Sequence, residues 1–319
     1  MTRSLNESSR MEDGQSRSPE LIVAADLIES ACIEDWKVLR GQGLTGTDAS
    51  IICGTTRKYG SRYELFLKKT GALVEVEETF AKPEDYFGPR YWGIAQEPLI
   101  RQAFVEDTGL TVMTDPEFSV RRSKTQEWML GTPDGYIWCP DRGWGILEIK
   151  TAGLFLESEW KHGRVPKNYL VQVQHYMELC DLDYAYFATL IGGQKYRKFF
   201  IPRDRDFCSR LVQEEQRFWD LIQSNHPPEL DGHPATTAAV GVMHSEFVDE
   251  ARELPSEASR WDEQRAKAIE MQAEAQDLRC EAENKIKNAI GDCAYGILPD
   301  GGGRYSWKGK PRRLLRMKD

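Results

Sequence analysis

The chain has 319 residues, 40% of them hydrophobic and 29% charged, with a formal net charge of −9. At about 100–200 residues per domain, that length means one large domain or a domain with an appendage, and the composition is neither disordered nor fibrous. No run of about 18 apolar residues occurs, so no membrane span is expected; the polar N-terminus lacks the apolar stretch of a secretory signal.

Residues 1–20 read as a disordered tail rich in Ser, Arg, Glu and Asn. From Leu21 the pattern becomes helical, with Ile33, Trp36 and Leu39 at helical spacing before Gly41 and Gly43 break it. LTGTDASIICG reads as a loop entering a short helix, with Thr47 as N-cap and Asp48 favouring the helix dipole. Another helix spans Tyr63–Gly71, and residues 73–90 form a charged segment ending in a Pro/Gly loop. WGIAQEPLIRQAFVEDTG (92–109) is an amphipathic helix with Leu99, Ala103 and Phe104 expected inward and Gly109 as its stop.

Strand character follows at 111–120, Glu127–Cys139 and Trp144–Lys150, the last two joined through the turn DRGWG. Lys167–Leu182 reads as a helix, and Asp183–Ile191 with Lys195–Pro202 as a hairpin across Gly192 and Gly193. This order predicts an α/β core with a mixed sheet and helices on its faces. A helix at 207–224 closes the core (21–225); a linker (226–255) leads to a long exposed helix at 256–290 and a small β-hairpin with a basic tail (256–319 together). From Arg304 to Lys318 there are seven basic residues and no acidic one, a composition that suits phosphate contacts, with Tyr305 and Trp307 available for stacking.

Seven scattered cysteines, with no CxxC pair, argue against zinc and against an Fe–S cluster, and fit a reducing cytoplasm. The five histidines show no metal-ligand spacing, and the glycine clusters at 192–193 and 301–303 lack the form of a phosphate loop.

The chemistry concentrates in GTPDGYIW and GILEIKTA. Glu148 and Lys150 are two apart in a strand and so share a face; a hairpin brings Asp134, at a bend after Pro133, beside them. Two carboxylates this close raise each other's pKa, a repulsion that a divalent cation relieves. Oxygen ligands with open positions suit Mg²⁺, or Mn²⁺ in its place, and such an ion serves phosphodiester hydrolysis by acidifying water and neutralising charge at the phosphate.

The spacing PD–x13–ExK resembles the PD-(D/E)XK nuclease superfamily, with its restriction-endonuclease-like core. More narrowly, the ordered blocks WKVLRGQGLTGTDAS, WGIAQEP, GTPDGYI, LEIKT and YLVQVQHYM resemble the lambda-exonuclease-type, YqaJ-like viral recombinase family over residues of about 32–205. The resemblance implies Glu97, Asp134 and Glu148 as metal ligands, with the Ile149 backbone carbonyl, and Lys150 assisting the attacking water. It also implies a pocket for the 5′-phosphate of a DNA end, formed by Arg40, Thr47, Thr132 and Gln172. Arg binds phosphate bidentately, and hydroxyls and an amide add neutral donors.

The activity so implied is a Mg²⁺-dependent 5′-to-3′ exonuclease that acts on linear double-stranded DNA and leaves 3′ overhangs for phage-type recombination. A single-strand annealing protein as partner and a trimeric ring as assembly come with the same resemblance. An endonuclease using the same metal site, and a non-catalytic DNA-end-binding protein on this fold, are the alternatives.

Overall fold

The computed structural model describes residues 20–56, 59–73 and 87–317. The expected N-terminal tail, apart from Glu20, and most of the 73–90 segment lie outside the described residues. The chain divides into two compact units, with the break between Glu246 and Phe247.

The first unit is built on a five-stranded mixed sheet, ordered β2 (Thr111–Met113), β5 (Gly135–Cys139), β6 (Gly143–Ala152), β7 (Tyr184–Ile191), β8 (Lys195–Pro202). Only β6 and β7 are parallel; the other neighbours are antiparallel. A parallel pair needs a crossover, and α5 (Lys167–Cys180) supplies it. A smaller antiparallel sheet joins β1 (Ala25–Glu29), β3 (Ser119–Ser123) and β4 (Leu130–Gly131).

Alternation along β6 sorts the two faces. Leu147 and Ile149 join Ile137 and Ala188 under Ile100 and Phe104 of α4 (Pro89–Thr108). Ile146, with Tyr136, Ala185 and Phe187, belongs to the larger core that includes Val173, Tyr176 and Met177 of α5. Helices α1 (Ile33–Gly41), α2 (Gly46–Ile52), α3 (Arg62–Lys69) and α6 (Arg205–Gln223) complete the unit with α7 (Pro234–Met243). The approach of α2 to α5 needs a glycine: a Cβ on Gly46 would lie 2.9 Å from Gln172 Cγ.

His175 of α5 is wholly buried. Its Nδ1 meets Glu215 Oε1 of α6 at 2.7 Å, and its Nε2 lies 2.8 Å from the Leu130 carbonyl of β4. An oxygen faces each nitrogen, an arrangement that favours the charged ring; burial opposes the charge, but Glu215 and the Leu130 carbonyl hold its pKa above the usual histidine value.

The second unit contains α8 (Ala258–Ile290), exposed along nearly its whole length, and an antiparallel sheet in which β10 (Arg304–Lys308) lies between β9 (Tyr295–Ile297) and β11 (Arg313–Met317).

Several elements differ from the sequence expectation. Residues 25–29 are a strand, because pairing with β3 outweighs the helical pattern that begins at Leu21. The 111–120 stretch splits between the two sheets, with Phe118 at a φ of 58° in the connection. The 127–139 stretch breaks at Pro133, between β4 and β5. On α4 the inward residues are Ile100 and Phe104, while Leu99 is 66% exposed. The 226–255 linker carries α7, and the C-terminal hairpin has a third strand.

Candidate active site

The strand β5 begins at Gly135, opposite Leu147, so beyond that point β6 has lost its β5 partner. The Asp134 carboxylate fills the gap: its Oδ2 accepts the Ile149 backbone N–H at 2.6 Å. Pro133, which has no N–H to offer a ladder, ends the strand just before this point. Sequence-local chemistry therefore sets an acid at the open edge of the central strand.

Glu148 lies on β6 beside Asp134 and is 1% exposed. Its Oε1 accepts from Lys150 Nζ at 2.5 Å, while its buried Oε2 has no partner. Burial, and next the Asp134 charge, push the Glu148 carboxyl up to about 8; Lys150 opposes both. Burial also raises Asp134, against the pull of Lys150, the Ile149 amide and Arg101. Lys150 is held well above the usual lysine value because Glu148 and Asp134 outweigh the cost of burying it. It remains an ammonium and acts as a donor and a positive charge, not as a base.

Glu97 comes from α4, which packs on the sheet face opposite the one carrying Glu148 and Lys150. Arg101, one helical turn on, donates from Nη2 to Glu97 Oε1 and to the Asp134 carbonyl at 3.3 Å. Burial and the Asp134 charge raise the Glu97 pKa against Arg101. Sequence reading missed Arg101; its signal was the i, i+4 spacing from Glu97.

The structure thus brings Glu97, Asp134, Glu148 and Lys150 into one electrostatic cluster. Among the described residues, no three His, Cys, Asp or Glu side chains converge as they stand to hold a metal ion. Glu97 is turned to Arg101, Asp134 to the Ile149 amide and Glu148 to Lys150. The donor chemistry still fits a hard divalent cation: Asp134 raises the pKa of both Glu97 and Glu148, and Glu148 Oε2 is buried without a hydrogen-bond partner.

A second group of residues adjoins the acids. Arg40 Nη1 donates to Thr132 Oγ1 at 3.0 Å, and its guanidinium lies 4.4 Å from the Trp36 ring centroid. Gln172 Nε2 donates to Tyr176 OH at 3.1 Å. Tyr176 links the two groups: burial and then the Glu148 charge push its hydroxyl up to about 12, while Arg40, Gln172 and Lys150 oppose. Lys150 Nζ sits 5.0 Å from the ring centroid of Tyr169, on the same helix.

Thr47 is half-buried in the first turn of α2, and no hydrogen bond ties it to Arg40, Thr132 or Gln172. The N-cap expected at Thr47 is Thr45, whose N–H and Oγ1 both donate to Asp48 Oδ2, at 2.8 and 2.9 Å. Lys69 Nζ lies 2.9 Å from that oxygen and donates to the carbonyls of Arg40 and Gly43. Lys69 and the Thr45 amide outweigh burial and hold Asp48 below the usual carboxylate range. This buried pair fastens the end of α1 and so positions Arg40.

The family model of the YqaJ-like viral recombinase domain matches residues 35–183, a span that takes in Arg40 through Gln172. The uncharacterized protein YqaJ of Bacillus subtilis (strain 168) is 31% identical over 280 residues, covering 86% of this chain and 83% of that protein. Among solved structures, the alkaline exonuclease LHK-Exo of Laribacter hongkongensis is 19% identical over 60% of this chain and 94% of its own, with a TM-score of 0.46. A phage-related exonuclease of Haemophilus somnus 129PT is 18% identical over 57% and 96%, with a TM-score of 0.34. Both structural likenesses are loose.

Proposed function

We propose, on the premise that this chain belongs to the family of YqaJ-like viral recombinase domains, that it is a metal-dependent 5′-to-3′ exonuclease of linear double-stranded DNA. The observation that carries the reading is the cluster of Glu97, Asp134 and Glu148 around Lys150, at the open edge of the strand pair β5–β6. Asp134 raises the pKa of both Glu97 and Glu148, and one buried Glu148 oxygen is unpartnered, a pattern that suits a cation site better than a structural salt bridge.

Asp134 and Glu148, with Glu97 and the Ile149 carbonyl, would hold Mg²⁺, or Mn²⁺ in its place. Bound there, the ion supplies Lewis acidity to the phosphodiester and to the water that attacks it. Lys150, kept charged by Glu148, donates to a phosphate oxygen or orients that water. Arg40, aimed by Thr132 and backed by Trp36, binds a terminal phosphate. Gln172 and Thr47 add neutral donors on α5 and α2. A pocket for a chain terminus beside the acids favours cutting from an end over cutting within a strand.

The 3′ overhangs so produced suit recombination with a single-strand annealing protein, in the cytoplasm of a bacterial host. A trimeric ring threaded by the duplex would make the reaction processive.

The test is a time course on end-labelled linear duplexes, 5′-phosphorylated and not, with and without Mg²⁺. Nucleotide release from the 5′-labelled end, faster with a 5′-phosphate and abolished without metal, is expected. Cutting of covalently closed circles would convert the reading to an endonuclease. Binding of 5′-phosphorylated ends without any release of nucleotides in Mg²⁺ or Mn²⁺ would leave an end-binding protein.

A further inference from the structure

The C-terminal sheet has two unlike faces. Gly296 and Trp307 face α8: a Cβ on Gly296 would lie 2.6 Å from Ile290 Cγ1, and Lys287 of α8 sits 5.8 Å from the Trp307 ring centroid. Strand alternation and register place Tyr295 and Ile297 of β9, Arg304 and Lys308 of β10, and Arg313 and Leu315 of β11 on the opposite face.

That face is open. Tyr295 is 44% exposed, Leu315 61% and Ile297 82%, and Arg304, Lys308 and Arg313 are exposed as well. Lys308 donates to the Tyr295 hydroxyl and lies 4.5 Å from its ring centroid; the Arg304 guanidinium lies 5.9 Å from the same ring. None of the three cations is paired with a carboxylate among the described residues, and the sequence has no acidic residue from Gly301 to Lys318.

We infer that this face binds single-stranded DNA. In a chain of net charge −9, a strip of unpaired cations marks a local attraction for polyanions. Phosphates alone would account for the cations. They would not account for an aromatic ring and two aliphatic side chains left in water between them. Unpaired bases supply the missing partner, stacking on Tyr295 and lying against Ile297 and Leu315, while Arg304, Lys308 and Arg313 meet the phosphates. A duplex hides its base faces and offers this surface only its backbone. The site is built from residues of the second unit alone and does not depend on the nuclease reading.

The test measures fluorescence anisotropy of a labelled oligothymidylate of about twenty nucleotides on the full chain in EDTA, which suppresses hydrolysis. Tyr295→Ala is expected to weaken binding about tenfold, and Tyr295→Phe, which keeps the ring, to leave it nearly unchanged. Replacing Arg304, Lys308 and Arg313 together by Ala should lower the slope of log affinity against log salt by about 2.

Equal affinity for Tyr295→Ala and wild type would overturn the inference, as would equal loss in Tyr295→Phe and Tyr295→Ala. Tighter binding of a duplex of the same length, lost in the triple variant, would overturn it in favour of a backbone-only site. Nucleotide release in Mg²⁺, measured separately, reports on the acid cluster, so the two readings fail independently.

Discussion

Asp134 Oδ2 accepts the backbone N–H of Ile149 at 2.6 Å, tying the acid after the Pro133 break to the central strand at the point where strand pairing stops. This bond separates the fold role of Asp134 from the chemical role proposed for it. An asparagine can still accept through its amide oxygen, yet carries no charge for a cation. Asp134→Asn is therefore expected to keep its melting temperature within a few degrees and to lose hydrolysis of linear duplex DNA by at least about a thousandfold. Asp134→Ala should lose activity equally and also about 1–3 kcal/mol of stability, because the Ile149 N–H loses its acceptor. Activity close to wild type in either variant would remove Asp134 from the site.

Arg40 is aimed by Thr132 and fastened through Lys69. Arg40→Ala should bring the rates on 5′-phosphorylated and 5′-hydroxyl ends together, because the bidentate phosphate donor is gone. Thr132→Val, which removes the hydroxyl at nearly constant volume, should shift the ratio in the same direction by a smaller amount. An unchanged ratio in Arg40→Ala would move the end-binding pocket elsewhere.

Arg101 is ion-paired with Glu97 and would compete for it with the cation proposed above. Arg101→Gln leaves the acid cluster with less positive charge, so metal-free protein should melt lower than wild type. The rise in melting temperature on adding Mg²⁺ should be larger, since the ion replaces the lost charge. Equal Mg²⁺-induced shifts in the two proteins would show that Glu97 takes no part in cation binding.

The buried His175–Glu215 pair makes stability depend on pH. The folded protein holds the His175 proton more tightly than the unfolded chain does, with Glu215 and Asp48 as the charges that favour it. Its contribution is complete below about pH 6.5, the unfolded value, and is lost as pH rises through the folded value. Thermal denaturation across neutral and alkaline pH should show this decline. Glu215→Gln should cost about 3–5 kcal/mol near neutrality and flatten the pH dependence. A slope unchanged by that substitution would assign the dependence to other groups.

Local periodicity and chemistry made much of this molecule readable from its residues. The helices at 62–69, 89–108, 167–180 and 205–223 follow apolar spacing, and the hairpins at 135–152 and 184–202 follow alternation around glycine-containing turns. The pairing of Glu148 with Lys150 follows from strand geometry alone, since residues two apart share a face. The placement of Asp134 beside them needed only the hairpin.

Tertiary packing decided the rest. Residues 25–29 became a strand because β3 offered a partner, and Leu99 turned outward because the inward stripe of α4 is set by where Ile100 and Phe104 meet the sheet. The capping role went to Thr45 because the buried Lys69 holds Asp48, a contact between residues 21 apart in the chain. Arg101 bridging Glu97 to Asp134 is likewise a contact between separate elements, and the opposing charges of Arg40 and Glu148 meet at Tyr176 only through packing. A pattern of residues along one segment states which face it can bury. Which neighbour arrives at that face, and so which charges meet, is set only when the elements pack.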